Sequence, residues 1–399
     1  MYVSPLDPPL PTGAGSRQRW ARLYGSAPGL AIAMAAHRHD GPVLVVTRDT
    51  PTATRLEEEI RFFSPGDGQT PVLHFPDWET LPYDPFSPHQ DIVSERLATL
   101  HRLAGLRRGV LIVPVSTLMV RVPPRTFLDA HSLVLDRGQR FDVDAMRARL
   151  DASGYRAVGQ VMEHGEFAVR GSLFDLFPMG SPHPYRIDLF DDEVETIRIF
   201  DAETQRSSET VDSVRLLPAR EFPLTEEAIT RFRKSWRRHF EGDPSASAIY
   251  RDVSAGMAPP GIEYYLPLFF EATASLFDYL PEGCLGMALD DVHDASEAFW
   301  AEAGERYEQR RHDQERPLLP PGDLFLQANE IYSALARFPQ VHLGSYEEAR
   351  GAVNFASRAP TAVPIDARAP EPLAVIKRFL ADFEGRVLLA AETTGAGAE

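Results

Sequence analysis

A chain of 399 residues has room for two or three domains, and 43% hydrophobic with 25% charged residues is the balance of a folded soluble protein, not a disordered one. The net charge of −17 argues against a broad electrostatic grip on nucleic acid, which needs a basic face, and leaves room only for a local basic patch. The single cysteine, Cys284, excludes an internal disulfide framework and a cysteine-rich zinc site; with no signal-like start and no apolar run of membrane-spanning length, the reading is a cytoplasmic protein without a membrane partner.

Residues 1–16 are rich in proline and read as a flexible arm. From Arg17 a helix-like pattern leads to Gly25-Ser26-Ala27-Pro28-Gly29-Leu30, and an alanine-rich helix runs on through His37. Val43–Val46 is a continuous apolar run of the kind that fills a buried parallel strand, and Thr50-Pro51 opens a helix with Leu56, Ile60 and Phe63 at helical spacing. This order is that of a nucleotide-binding α/β domain. A working phosphate loop, however, needs G-x-x-x-x-G-K-[ST], with a lysine on the phosphates and a hydroxyl on magnesium. Neither follows Gly29 here, and Pro28 removes a backbone donor, so Gly25, Ser26 and Gly29 read as a vestigial phosphate loop.

Next come Val72–Phe75, an aromatic and proline-rich loop, and a helix from Ser94 with Leu97, Leu100 and Leu103 inward. His74, His89 and His101 lie near Asp77, Asp84 and Asp91, but their spacing matches no compact ligand motif, and no metal site is expected. Gly109–Val115 is a second buried parallel strand.

Beyond Pro123 the pattern changes to α+β, with short strands, a helix at Val143–Ser153 and many turns. Its centre is Val161–Phe190, read as two strands joined by the turn Pro178–Pro182. In the first strand Phe167, Val169, Gly171 and Leu173 alternate with Arg170 and its neighbours; in the second Tyr185, Ile187 and Leu189 alternate with Arg186, Asp188 and Phe190. Period-two alternation turns the apolar set to a core and leaves Arg170, Arg186 and Phe190 on the other face. Arginines beside an exposed aromatic are the composition of a protein-binding hot spot, or of an ordinary solvated sheet face with one stray phenylalanine; spacing alone does not separate these.

Leu224 to about Phe240 reads as a helix with Arg231, Arg233, Lys234, Arg237 and Arg238, either a nucleic-acid contact or a solvated face. Gly261–Phe270 packs aromatics densely, Leu276–Leu280 and Leu285–Leu289 return to the first domain, Ala295–Arg311 is a charged helix, and Gln340–Leu343 closes the sheet. Residues 345–372 read as a linker. A helix at Leu373–Phe383 and a strand at Arg386–Ala391 then begin an α/β unit too small to build its own core, so the chain reads as truncated inside a domain.

Four stretches, residues 77–103, 108–119, 161–181 and 261–270, resemble the amino-terminal part of the bacterial transcription-repair coupling factors, the Mfd family, and the resemblance covers nearly all of residues 17–395. That part of the family is similar to the damage-recognition protein UvrB. The resemblance implies a degenerate helicase-like (RecA-like) parallel-sheet α/β domain built from two segments, 17–128 and 218–344. It also implies an inserted UvrA-binding α+β domain at 129–217, and the start of a further α/β domain at 373–399. It implies UvrA as partner, with Arg170 the arginine of R-G-x-L-x-D-x-F-P and Arg186 and Phe190 the arginine and aromatic of P-Y-R-x-D-x-F. It further implies no cofactor for this chain, no catalysis by it, and engagement of RNA polymerase and DNA by parts of the family protein beyond residue 399. The short turn at Tyr83–Gln90 leaves no room for the long aromatic hairpin with which UvrB clamps DNA.

Overall fold

The computed structural model describes residues 2–64, 70–344, 350–365, 368 and 370–388. The chain divides into two units, Met1–Ser357 and Arg358–Glu399.

The first unit is built on a seven-stranded parallel sheet. Its strands are β1 (Arg17–Ala21), β2 (Pro42–Thr47), β3 (Val72–His74) and β4 (Gly109–Pro114), followed much later by three others. Between them the chain makes β5 (Leu133–Asp136), β6 (Arg156–Ala157), β7 (Glu166–Arg170), β8 (Leu173–Leu176), β9 (Tyr185–Phe190), β10 (Glu193–Phe200), β11 (Ser207–Val211) and β12 (Ser213–Leu216). It then returns to the parallel sheet with β13 (Leu285–Leu289), β14 (Gln340–Leu343) and β15 (Val353–Asn354), giving the order β15-β1-β14-β13-β2-β4-β3. Every residue of β2 and β4 is buried, as strands covered by helices on both faces must be. Helices α1 (Ala27–Arg38) and α2 (Thr50–Phe63) cover one face with Ile32, Ala36, Leu56 and Ile60. Helix α3 (Gln90–Leu103) brings Leu97, Leu100 and Leu103 into the larger core on the other. The sheet is closed by strands separated from β4 by the whole intervening region, so the α/β layer is discontinuous in sequence.

The intervening strands form a six-stranded sheet, β11-β10-β9-β8-β7-β6, and a two-stranded one, β12-β5. Strand β6 is parallel to β7, and the remaining pairs of the larger sheet are antiparallel. The helix expected at Val143–Ser153 spans Val143–Ala152, its first turn capped by the Asp142 carboxylate, which accepts from the Ala145 N–H at 2.9 Å.

Tertiary structure overrides several local expectations. Arg17–Ala21, expected as helix, is β1: it pairs on both sides, with β14 and β15, and Trp20 is buried edge-on against Phe355 with ring centroids 5.2 Å apart. The expected arm is packed, since Val3 bridges to Phe355, Arg38 pairs with Asp7, and Pro8 is buried. The expected linker contains β15, which pairs with β1 and so belongs to the sheet edge. Of the two elements expected to return to the first domain, Leu276–Tyr279 is a short 3-10 turn and Leu285–Leu289 is β13.

In the second unit, Ala374–Asp382 is a helix, and the Phe379 and Phe383 rings lie 5.5 Å apart. Residues 386–388 of the strand expected there are not extended into a sheet, and the rest of it lies outside the described residues. Among the described residues no helix is long and apolar enough to cross a membrane.

Candidate protein-binding face

The stretch expected as two strands is three. Gly171, at φ 61°, turns the chain in the left-handed region that favours glycine, so β7 and β8 form a tight hairpin where one continuous strand was expected. A second tight turn joins β9 to β10 through Asp191, at φ 52°, and Asp192. Its position is pinned by the Phe141 N–H, which donates to the Asp192 carbonyl at 2.7 Å, and by an Arg140–Asp192 ion pair. Phe190 is the last residue before that turn and is 68% exposed.

Phe167, Phe174, Leu176 and Ile187 face the main core. The opposite face carries Ala168 and Arg170 on β7, Asp175 on β8, Arg186, Asp188 and Phe190 on β9, and Arg198 on β10, as their register requires. The three residues expected on one face therefore share it. Their exposure is unequal: the Arg170 side chain is 46% exposed, that of Arg186 only 13%. Arg186 is covered because the outer face has a small core of its own, where Val161, Ala168 and Phe200 bury one another. The loop before β11 closes over it, and Gln205 Nε2 donates to the Val161 carbonyl at 3.1 Å.

The residue missed by the strand alternation is Asp175, whose side chain is fully buried. Arg186 binds it through two parallel bonds, Nε to Oδ1 at 2.8 Å and Nη2 to Oδ2 at 2.9 Å. Arg186 also donates to the Gln205 carbonyl at 3.1 Å and lies over the Phe200 ring, 4.8 Å from its centroid. The hydrogen bonds to Asp175 raise the affinity of Arg186 for its proton further above the ordinary value. Arg170 donates to the same carboxylate, at the Oδ2 that also accepts from Arg186 Nη2. Beside them, Arg198 and Thr196 donate to Asp188 at 2.6 Å each. The aspartate of R-G-x-L-x-D-x-F-P was visible in the sequence, but nothing in its strand position told a buried clamp from a solvated side chain.

The glycine turn before α1 has Gly25 at φ 59°, and Ser26 stands at the helix N-cap without a side-chain cap bond. Glu59, from α2, packs against Gly29, and a Cβ at Gly29 would lie 2.5 Å from the Cβ of Glu59 and 2.7 Å from its Oε2. Burial pushes the Glu59 carboxyl above its ordinary range, an effect that Arg55 and Gly29 only partly offset. An acidic side chain thus stands beside the helix end at which a phosphate loop would hold an anion. His74, His89 and His101 do not gather. His74 Nδ1 bonds Glu57 at 3.1 Å, His89 caps α3 by accepting from the Asp91 N–H, and desolvation pushes the half-buried His101 below its ordinary value.

Residues 133–222 match the family model of the UvrB interaction domain, which defines the chain as a parallel-sheet α/β protein carrying such a domain in its β-rich region. Along nearly its whole length it is similar to the transcription-repair-coupling factor of Escherichia coli K12, 46% identical over 389 residues and 97% of this chain. The factor of Haemophilus influenzae is 42% identical over 99% of the chain, and that of Myxococcus xanthus 32% over 82%. The chain spans 34% of the length of the first two relatives and 28% of the third.

Proposed function

We propose that this chain is the UvrA-recruiting module of a transcription-repair coupling factor, a UvrB-like surface that draws the excision-repair machinery to transcription halted at DNA damage. The observation that carries the reading is the arginine and aromatic face of the six-stranded sheet, lying within the match to the UvrB interaction domain. Arg170, Arg186 and Phe190 form the contact, the cations toward acidic groups of UvrA and Phe190 toward an apolar pocket. Residues 129–217 act as the inserted binding domain, and 17–128 with 218–344 as its scaffold.

The module itself is non-catalytic and takes no cofactor. Supporting this are the missing lysine after Gly29, Pro28 within the loop, and the Glu59 side chain packed against Gly29. ATP-driven movement along DNA and the grip on RNA polymerase belong to other parts of the longer factor, in the cytoplasm.

Calorimetric titration into UvrA tests the reading. The wild-type chain is expected to bind, and a double Arg170→Glu, Phe190→Ala variant, altered only at exposed positions, to lose that binding while its circular dichroism is unchanged. Equal binding by both would remove the face from the contact, and no binding by the wild type would remove the function.

A further inference from the structure

The proposed recognition face holds more positive charge than its one buried anion can neutralise, and the topology determines where the excess emerges. Asp175 sits on β8, between β7 and β9. Directly across on β9 is Arg186; across on β7 is Ala168, which makes Arg170, opposite Leu173, the diagonal neighbour. A carboxylate on an interior strand can therefore hold a cation from each side, and Asp175 does so. The two arginines are not equivalent. Arg186 spends its donors on both carboxylate oxygens and on the Gln205 carbonyl, and its plane lies over Phe200. Arg170 gives Asp175 one of the five donors of a guanidinium and keeps much of its side chain in water.

Resting on the UvrA-recruiting reading, we propose that Asp175 is the positioning residue of this face. Its buried carboxylate, already matched by Arg186, tethers Arg170 in the free chain and presents that guanidinium to a carboxylate of the partner. An arginine left loose loses substantial side-chain freedom on docking; a tethered one has lost most of it beforehand. Within the proposed contact Arg186 chiefly holds Asp175, and Arg170 is the cation that reaches furthest toward the partner. Were Asp175 instead a competitor for Arg170, its removal would tighten the complex.

The test is a double-mutant cycle read by titration into UvrA, with wild type, Asp175→Asn, Arg170→Gln and the double variant, each confirmed folded by circular dichroism and melting. Asp175→Asn is expected to weaken binding at least about tenfold, the scale of a well-buried interface contact. Adding Arg170→Gln to it is expected to change affinity little further. Affinity equal to or tighter than wild type in Asp175→Asn, or fold-changes that simply multiply, would overturn the proposal. If Asp175→Asn fails to fold, the cycle is repeated in an Arg186→Gln background, where the buried pair is neutralised together. Relaxation of the Arg170 Nε–H in the free chain supplies a readout independent of UvrA: restricted in wild type, released in Asp175→Asn. An Arg170 already loose in wild type would overturn the tether, whereas wild type that holds Arg170 but fails to bind UvrA would overturn the function instead.

Discussion

Arg96 and Glu221 form an ion pair closed to water, Nε to Oε1 at 2.6 Å, with side chains 0% and 3% exposed. Arg96 belongs to α3, on the parallel sheet, and Glu221 to the segment that follows β12, so the pair fastens the return from the β-rich region to the α/β layer. The guanidinium also donates to the Pro76 carbonyl at 2.8 Å and lies over the rings of Phe75 and Trp78, 4.2 and 5.0 Å from their centroids. Glu221→Ala would strand a buried cation, and is expected to lower unfolding free energy in urea by about 3–5 kcal/mol. Arg140→Ala, breaking the exposed pair with Asp192, is expected to cost less than about 1 kcal/mol.

On the proposed recognition face, burial separates binding effects from folding effects. Arg186→Glu sets a second carboxylate against the buried Asp175 and is expected to lower stability by about 3 kcal/mol or more, visible as an earlier urea midpoint. Arg170→Glu, at a half-exposed position, is expected to cost about 1 kcal/mol of stability but at least about 2 kcal/mol of UvrA binding.

Phe190→Ala isolates the apolar part of the proposed contact. The ring is exposed at the end of a hairpin, so urea unfolding is expected to change by no more than about 0.5 kcal/mol. Affinity for UvrA is expected to fall at least about tenfold in calorimetry.

A pH dependence follows from Glu263. Burial pushes its carboxyl from 4.5 up to about 7, despite hydrogen bonds that favour the ionised form, among them one from the Ser87 hydroxyl at 2.8 Å. The folded chain therefore binds this proton more tightly than the unfolded chain. The contribution is full below about pH 4.5 and is lost as pH rises through about 7. Glu263→Gln should match wild type near about pH 4.5 and exceed it by up to about 3 kcal/mol at about pH 8, measured by urea unfolding at both.

Nucleotide binding is the corresponding test of the loop at Gly25–Gly29, proposed to be vestigial. Magnesium-ATP titrated to about 1 mM is expected to give no binding isotherm, since the loop lacks the lysine that would hold the phosphates. Gly29→Ala is expected to cost about 1–3 kcal/mol in unfolding, because its methyl would meet Glu59 at 2.5 Å.

What the sequence determined by itself was whatever rests on local pattern. The apolar runs of β2 and β4, the capped helix at Val143–Ala152, and the shared face of Arg170, Arg186 and Phe190 follow from periods of 2 and 3.6 and from a carboxylate at an N-cap. The family motifs were equally legible, and the match at residues 133–222 and the long similarity to the coupling factors agree with them. Only the tertiary structure decided what depends on contacts across long separations. Arg17–Ala21 is a strand because β14, over three hundred residues later, lies beside it. Gly171 turns a strand that alternation alone would have continued. Arg186 is covered and Arg170 is open because Val161, Phe200 and Gln205 close over one side of a shared carboxylate. Alternation says which face a side chain takes; what else packs on that face decides whether its charge is spent inside the fold or left for a partner.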